Sequence, residues 1–150
     1  MERLLDTVDQ VLKVKQSQVF SLTPDATVYT ALELMAQEGI GSVLIMDARR
    51  LVGILSERDY ARKIMLQGRR SKETKVSEVM TAPVITVGPG ATVDECLKLM
   101  TVRRFRHLPV IEAGAVRGIV SIGDLVKWII TSQEKTIRQL EDYIAGQYPA

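Results

Sequence analysis

Cysteine, histidine and tryptophan each occur once in this 150-residue chain, and aromatic residues make up only 5% of it. The single thiol, Cys96, excludes an internal disulfide framework and fits a reducing compartment. The single imidazole, His107, excludes a multi-histidine metal site within one chain. Charge of one sign is also scarce. The formal net charge is +2, too small to argue for a nucleic-acid partner, whose binding rests on clustered cations. No apolar run reaches about 18 residues, so no transmembrane helix is expected. The opening Met1-Glu2-Arg3-Leu4-Leu5-Asp6 lacks the apolar stretch of a secretory signal. Together these absences predict a cytoplasmic protein with neither membrane nor nucleic acid as partner.

What the chain does have is a copy of itself. Residues 19–65 align without a gap on 84–130, and fourteen of the 47 positions are identical. Val19-Phe20-Ser21-Leu22-Thr23-Pro24-Asp25-Ala26-Thr27-Val28 lies over Val84-Ile85-Thr86-Val87-Gly88-Pro89-Gly90-Ala91-Thr92-Val93. Gly53-Ile54-Leu55-Ser56-Glu57-Arg58-Asp59 lies over Gly118-Ile119-Val120-Ser121-Ile122-Gly123-Asp124. A half of about 60 residues buries too little apolar surface to stand alone, so the two copies are expected to share a core.

Each copy has the pattern β-α-β-β-α. In the first, a short β run at 19–22 precedes a helix at 27–38 with Val28, Ala31, Leu32 and Met35 on one face, closed by Gly39. Strands at 42–46 and 51–55 flank a four-residue turn at 47–50, and a helix opens at Ser56. The second copy predicts strands at 84–87, 108–111 and 116–120, with helices from about Thr92 and Ser121. Leu4, Leu5, Val8, Val11 and Leu12 predict an amphipathic helix at 3–14 leading into the first repeat. The chain thus divides into a first repeat at 10–68, a second at 76–135 and a helical extension at 136–147. The segment 67–75 is a solvated basic linker, and 76–80 a single helical turn. Ile130, Ile137 and Ile144 stand seven apart with Leu140 between the last two, a coiled-coil-like fragment that needs a covering surface.

The string Gly-Ile-x-Ser-x-x-Asp occurs twice, where a strand gives way to a helix. A helix N-terminus offers unpaired N–H groups and a positive dipole end, which attract phosphate. Ser56 and Ser121 add hydroxyls there. The carboxylates of Asp59 and Asp124 can accept two hydrogen bonds, matching the paired hydroxyls of a ribose. Gly53 and Gly118 have no side chain, so a ligand or another backbone can approach the strand closely there. The same spacing is equally that of a capping box, in which serine and acid satisfy each other's backbone. Arg58 adjoins Asp59, and the densest positive charge is Arg103-Arg104-Phe105-Arg106-His107. His107 is the sole candidate for acid–base catalysis, yet no carboxylate or nucleophile is fixed beside it by spacing, so no enzyme is predicted. Cys96 aligns with Ala31 on an apolar face and is expected in the core.

The order Pro-x-Ala-Thr-Val, helix, Phe105-Arg106-His107-Leu108-Pro109-Val110, then Gly-Ile-Val-Ser-Ile-Gly-Asp, present in both copies, resembles the cystathionine-β-synthase (CBS) domain. The tandem resembles a CBS pair, or Bateman module, over about residues 10–135. The strings at 56–63 and 68–74 further resemble small stand-alone CBS-pair proteins of bacteria and organelles. The resemblance implies an α/β (α+β) fold of two pseudo-twofold repeats packed through their sheets. It also implies clefts between them for AMP, ADP, ATP, NAD or S-adenosylmethionine, with no metal required, and a homodimer that signals to an unknown regulated protein. Carried over residue by residue, Asp59 and Asp124 would hold ribose hydroxyls, and Ser56 and Ser121 the ribose–phosphate end. Ile40, Gly41, Ser42, Phe105, Arg106 and His107 would flank base or phosphates. The alternative is a purely structural dimerisation module with empty clefts.

Overall fold

The computed structural model describes residues 2–16 and 18–145. After a 3₁₀ turn at Glu2–Leu5 the elements are α1 (Val8–Lys15), β1 (Ser21–Leu22), α2 (Val28–Glu38), β2 (Ser42–Asp47), β3 (Arg50–Ser56), α3 (Glu57–Tyr60, continued by a π-helical turn over Ala61–Met65), a 3₁₀ turn (Ser71–Glu73), α4 (Val76–Val79), α5 (Val93–Arg103), β4 (His107–Glu112), β5 (Ala115–Ser121) and α6 (Ile122–Ile144). The chain is α+β. It forms two compact units. The repeat-1 unit comprises Gln18–Thr86 with Ile111–Arg117, and the repeat-2 unit comprises Val87–Val110 with the described residues of 1–17 and 118–150. The expected extension at 136–147 is helical to Ile144, and its positions 146 and 147 lie outside the described residues.

In the repeat-1 unit β1 pairs parallel with β2, and β2 pairs antiparallel with β3 from Ser42↔Ser56 to Asp47↔Arg50. The loop of this hairpin is therefore two residues long, not four, and Ala48 takes φ 56° to close it. Apolar positions that alternate along the strands and recur at helical spacing along α2 converge on one core. Val28, Ala31, Met35, Val43, Ile45, Leu55 and Ile64 are buried there, completed by Val76 and Val79 of α4. Thr27 caps α2 through its side chain, and Gly39 ends the helix in the left-handed region.

The repeat-2 unit buries the equivalents of those residues 65 positions on: Val93, Cys96, Met100, Leu108, Val110 and Val120. The place of α4 is taken by α1. Val8 N–H donates to Ala91 O at 2.8 Å and Val93 N–H to Asp6 O at 2.8 Å, just as Val76 N–H donates to Ala26 O at 2.8 Å and Val28 N–H to Thr74 O at 2.8 Å in the repeat-1 unit. Val8 and Val11 are buried as Val76 and Val79 are. Thus α1, which precedes the first repeat in sequence, completes the core of the second, and α4, which precedes the second, completes the core of the first.

The expected strand at 84–87 does not form. Only Val87 bridges Val110, its N–H donating to Pro109 O at 3.1 Å. The cause is Pro109. Its counterpart Leu44 donates its N–H to Phe20 O at 3.2 Å and so holds β1 on the sheet. Proline has no N–H, and that rung of the ladder is missing.

The two long helices also end differently. Where α2 closes on Gly39 at φ 64°, α5 closes on Arg104 at φ 58°. A side chain with a Cβ is disfavoured there, so Arg104→Gly is expected to raise the unfolding free energy by about 0.5–1 kcal/mol, read as a higher urea midpoint with an unchanged slope.

Candidate functional site

Each strand-to-helix turn assembles the residues that the sequence singled out within its own unit. In the repeat-1 unit, Ser56 is the N-cap of α3. Its Oγ accepts the Asp59 N–H at 3.1 Å, while Asp59 Oδ2 accepts the Ser56 N–H at 3.0 Å and the Ser56 hydroxyl at 3.1 Å. The capping box is complete. The start of β2 lies against this turn: Glu57 N–H donates to Gly41 O at 3.0 Å, and Ser42 pairs with Ser56. The other carboxylate oxygen of Asp59 faces Lys63 Nζ at 3.3 Å and the Thr81 hydroxyl at 3.3 Å. Lys63 also donates to Val79 O at 2.9 Å. The Arg58 side chain is exposed and makes no hydrogen bond or ion pair among the described residues.

The repeat-2 unit repeats the box with a different cation. Ser121 Oγ accepts the Asp124 N–H at 3.1 Å, and Asp124 Oδ2 accepts the Ser121 N–H at 2.8 Å. Ile122 N–H donates to Arg106 O at 2.9 Å, which sets Arg106 and His107 beside the turn. The position of Lys63 is held here by Trp128, whose indole N–H donates to Asp6 at 3.0 Å. The ammonium group comes instead from the end of α1. Lys15 Nζ lies 2.7 Å from Asp124 Oδ2 and donates to Ile119 O at 2.8 Å. Burial alone would raise the Asp124 pKa. The Lys15 ammonium and the Ser121 N–H outweigh it and hold the carboxyl below its ordinary value.

Ile40, Phe105 and His107 are half-buried at the entries to β2 and β4, and Arg106 is exposed. Gly53 and Gly118 are buried, and what approaches them is a side chain of the same unit. A Cβ on Gly53 would stand 2.7 Å from Met80 Cγ, and one on Gly118 2.7 Å from a Leu12 methyl. Cys96 is fully buried, as expected, and burial pushes its thiol up to about 11, so it stays protonated at neutral pH. Among the described residues no three His, Cys, Asp or Glu side chains are grouped to hold a metal ion, and no helix is long and apolar enough to cross a membrane. Sequence reasoning missed Lys15, Lys63 and Thr81. Lys63 was within reach, since it stands four residues after Asp59 on a helix. Lys15 was not, because 109 residues separate it from its partner.

The CBS domain profile matches this chain at residues 9–66 and again at 76–131. The chain belongs to the CBS-domain family. It is 39% identical over 151 residues to the mitochondrial CBS domain-containing protein CBSX3 of Arabidopsis thaliana, covering 95% of this chain and 73% of that one. To the CBS domain-containing protein YhcV of Bacillus subtilis (strain 168) it is 33% identical over 109 residues, 73% of this chain and 77% of the relative. Among solved structures, it superposes on a CBS-domain protein of Burkholderia ambifaria MC40-6 that carries a signal-transduction designation. That match has 48% identity and a TM-score of 0.82, covering 85% of this chain and 96% of the other. The tandem CBS pair is therefore a module of the regulatory and signal-transduction class, with its two capped serine–aspartate turns at equivalent places in the two repeats.

Proposed function

We propose that this CBS pair is a non-enzymatic sensor of adenosine-containing nucleotides (AMP, ADP, ATP or NAD). Each serine–aspartate turn grips the ribose of a bound nucleotide. The observation that carries the reading is the duplication of one polar constellation: a helix N-terminus, a serine hydroxyl and an aspartate beside the entry of the middle strand, built twice from residues 65 apart. The positive end of the helix dipole suits phosphate, and a carboxylate suits vicinal hydroxyls. Arg58 supplies a cation at the first turn, and Arg106 with His107 at the second. Nucleotide binding would favour one arrangement of the protein over another and so signal by population shift to a regulated partner.

Titration calorimetry with AMP, ADP, ATP and NAD, paired with thermal shift, tests this. At least one nucleotide should bind, and at a hundredfold excess over Kd it should stabilise the fold by about 2.7 kcal/mol. Asp59→Ala with Asp124→Ala should abolish binding. Asp59→Asn with Asp124→Asn, which keeps an acceptor for each cap, should weaken binding while the protein stays folded. A second, purely structural reading is favoured by one observation: both carboxylates are already engaged by their own caps and by a lysine. It predicts no thermal shift with any nucleotide, and that result would overturn the sensor.

A further inference from the structure

The end of α1 is held to its unit differently from the end of α4, its counterpart. In the repeat-1 unit the chain leaving α4 is fixed by backbone: Thr81 N–H donates to Ile54 O at 2.9 Å, and Ile54 N–H to Thr81 O at 3.1 Å. Ile119, 65 positions on from Ile54, makes no such backbone bridge to α1 among the described residues. Its carbonyl oxygen accepts the Lys15 ammonium at 2.8 Å instead. One flexible side chain stands in for two backbone bonds. That side chain is also the last hold on α1. The first half of the helix is anchored by Val8 N–H on Ala91 O at 2.8 Å, by Asp9 N–H on Pro89 O at 3.2 Å and by the buried Val8 and Val11. Past Leu12, the residues Lys13, Val14 and Gln16 are exposed. Lys13 pairs with Asp9 of its own helix. Among the described residues, Lys15 Nζ makes the only hydrogen bonds from 13–16 to the rest of the unit, to Ile119 O and Asp124 Oδ2. Gln16 then leaves the helix at φ 47°, and β1 of the repeat-1 unit starts five residues later.

Asp124 is the group that the second turn would offer to a ribose, so Lys15 and the ligand would contend for one carboxylate. The side chains of Lys15 and Asp124 are each a quarter exposed. A charge-assisted hydrogen bond of this kind holds a helix end, yet water and a ligand can reach it. Resting on the sensor reading, we propose that Lys15 is a releasable strap that reports occupancy of the second turn. A nucleotide hydroxyl takes the Asp124 carboxylate, the ammonium lets go, and the last turn of α1 detaches while its anchored half stays docked. The freed end is continuous with the chain that enters β1. The first turn lacks this device. Its cation, Lys63, belongs to the helical segment that follows Asp59, and the chain after α4 keeps its backbone bridge when Lys63 moves. Two turns of like geometry thus have unlike consequences: one only binds, and the other also moves a helix end.

Backbone amide order parameters of the whole isotope-labelled chain test it, with calorimetry on the same samples. In wild type without nucleotide, Gln16, whose N–H is bonded to Leu12 O at 3.0 Å, should be as rigid as Val8 and Val93, at about 0.85. Lys15→Met and Asp124→Asn, the second keeping an acceptor for the Ser121 cap, should each drop Gln16 below about 0.6 and leave Val8 and Val93 unchanged. A Gln16 that stays rigid in either variant overturns the strap, and so does equal loosening of Val8 and Val93. Nucleotide is added to Asp59→Asn, so that the heat reports the second turn. AMP, ADP, ATP or NAD, whichever gives heat there, should loosen Gln16 as Lys15→Met does. Heat with Gln16 still rigid overturns the strap and leaves the sensor standing. Heat from wild type but none from Asp59→Asn confines nucleotide to the first turn and also overturns the strap. No heat from either protein overturns the sensor reading itself, and the nucleotide trigger with it.

Discussion

Gly53→Val is expected to lower the unfolding free energy by about 3 kcal/mol, and Met80→Ala made with it to recover about half of the loss. A Cβ at position 53 would lie 2.7 Å from Met80 Cγ and 3.1 Å from Met80 Cβ, so the clash reaches the root of the methionine side chain and not only its flexible end. Met80 has little room to retreat. Its N–H is bonded to Val76 O at 2.8 Å, and the next residue is tied to β3 in both directions, Thr81 N–H to Ile54 O at 2.9 Å and Ile54 N–H to Thr81 O at 3.1 Å. Valine therefore forces either an off-rotamer methionine or a shift of the sheet. The equivalent glycine makes a useful control. At Gly118 the close atoms belong to the Leu12 side chain, with a terminal methyl nearest. Gly118→Ala should thus cost only about 1 kcal/mol. Urea unfolding of the four proteins in the Gly53 and Met80 cycle checks the argument. A Gly53→Val protein as stable as wild type would sink it, as would strictly additive effects of the two substitutions.

The same glycines show what the sequence could and could not reveal. Their need for close approach was legible, because a strand glycine repeated at one offset has a reason to lack a side chain. The identity of the approaching group was not. Met80 and Leu12 lie 27 and 106 residues from their glycines, on helical turns whose docking partners no local pattern encodes. The core itself was legible, since Val28, Ala31 and Met35 and their counterparts Val93, Cys96 and Met100 recur at helical spacing and are all buried. The exchange of α1 and α4 was hidden by a change of register. Val8 and Val76, which play the same part, stand 68 residues apart while the repeats are 65 apart, so the gapless alignment passes over them. The missing strand at 84–87 was written in the chain as Pro109, but only pairing a proline in one strand with a carbonyl in another shows its effect. The capping boxes followed from Ser-x-x-Asp spacing alone. The cations that complete the two turns came from different elements, one from the helix that follows Asp59 and one from α1, and so broke the symmetry on which the reading depended.

That broken symmetry carries the second large effect. Lys15→Met is expected to lower stability at pH 7 by about 2 kcal/mol, and Lys15→Arg by much less. Methionine keeps the aliphatic length, so the loss isolates the ammonium group from the packing of its stem. The carboxylate of Asp124, about a quarter exposed, would be left with the hydrogen bonds of its Ser121 cap, and Ile119 O would lose its Lys15 donor. The pH dependence separates charge from packing. Asp124 titrates below its ordinary value of 3.8 in the folded chain. A depressed carboxyl stabilises the fold fully above its unfolded pKa, and that contribution disappears as the pH falls through the folded value. The gap between wild type and Lys15→Met should therefore be constant from pH 7 to about pH 5 and should narrow below about pH 4. A gap that persists unchanged into stronger acid would assign the effect to packing. Nucleotide affinity supplies an independent sign. A ribose that takes the Asp124 carboxylate must displace this lysine, so Lys15→Met is expected to tighten adenosine binding at the second turn while it weakens the fold. A lysine with a structural role alone would weaken both.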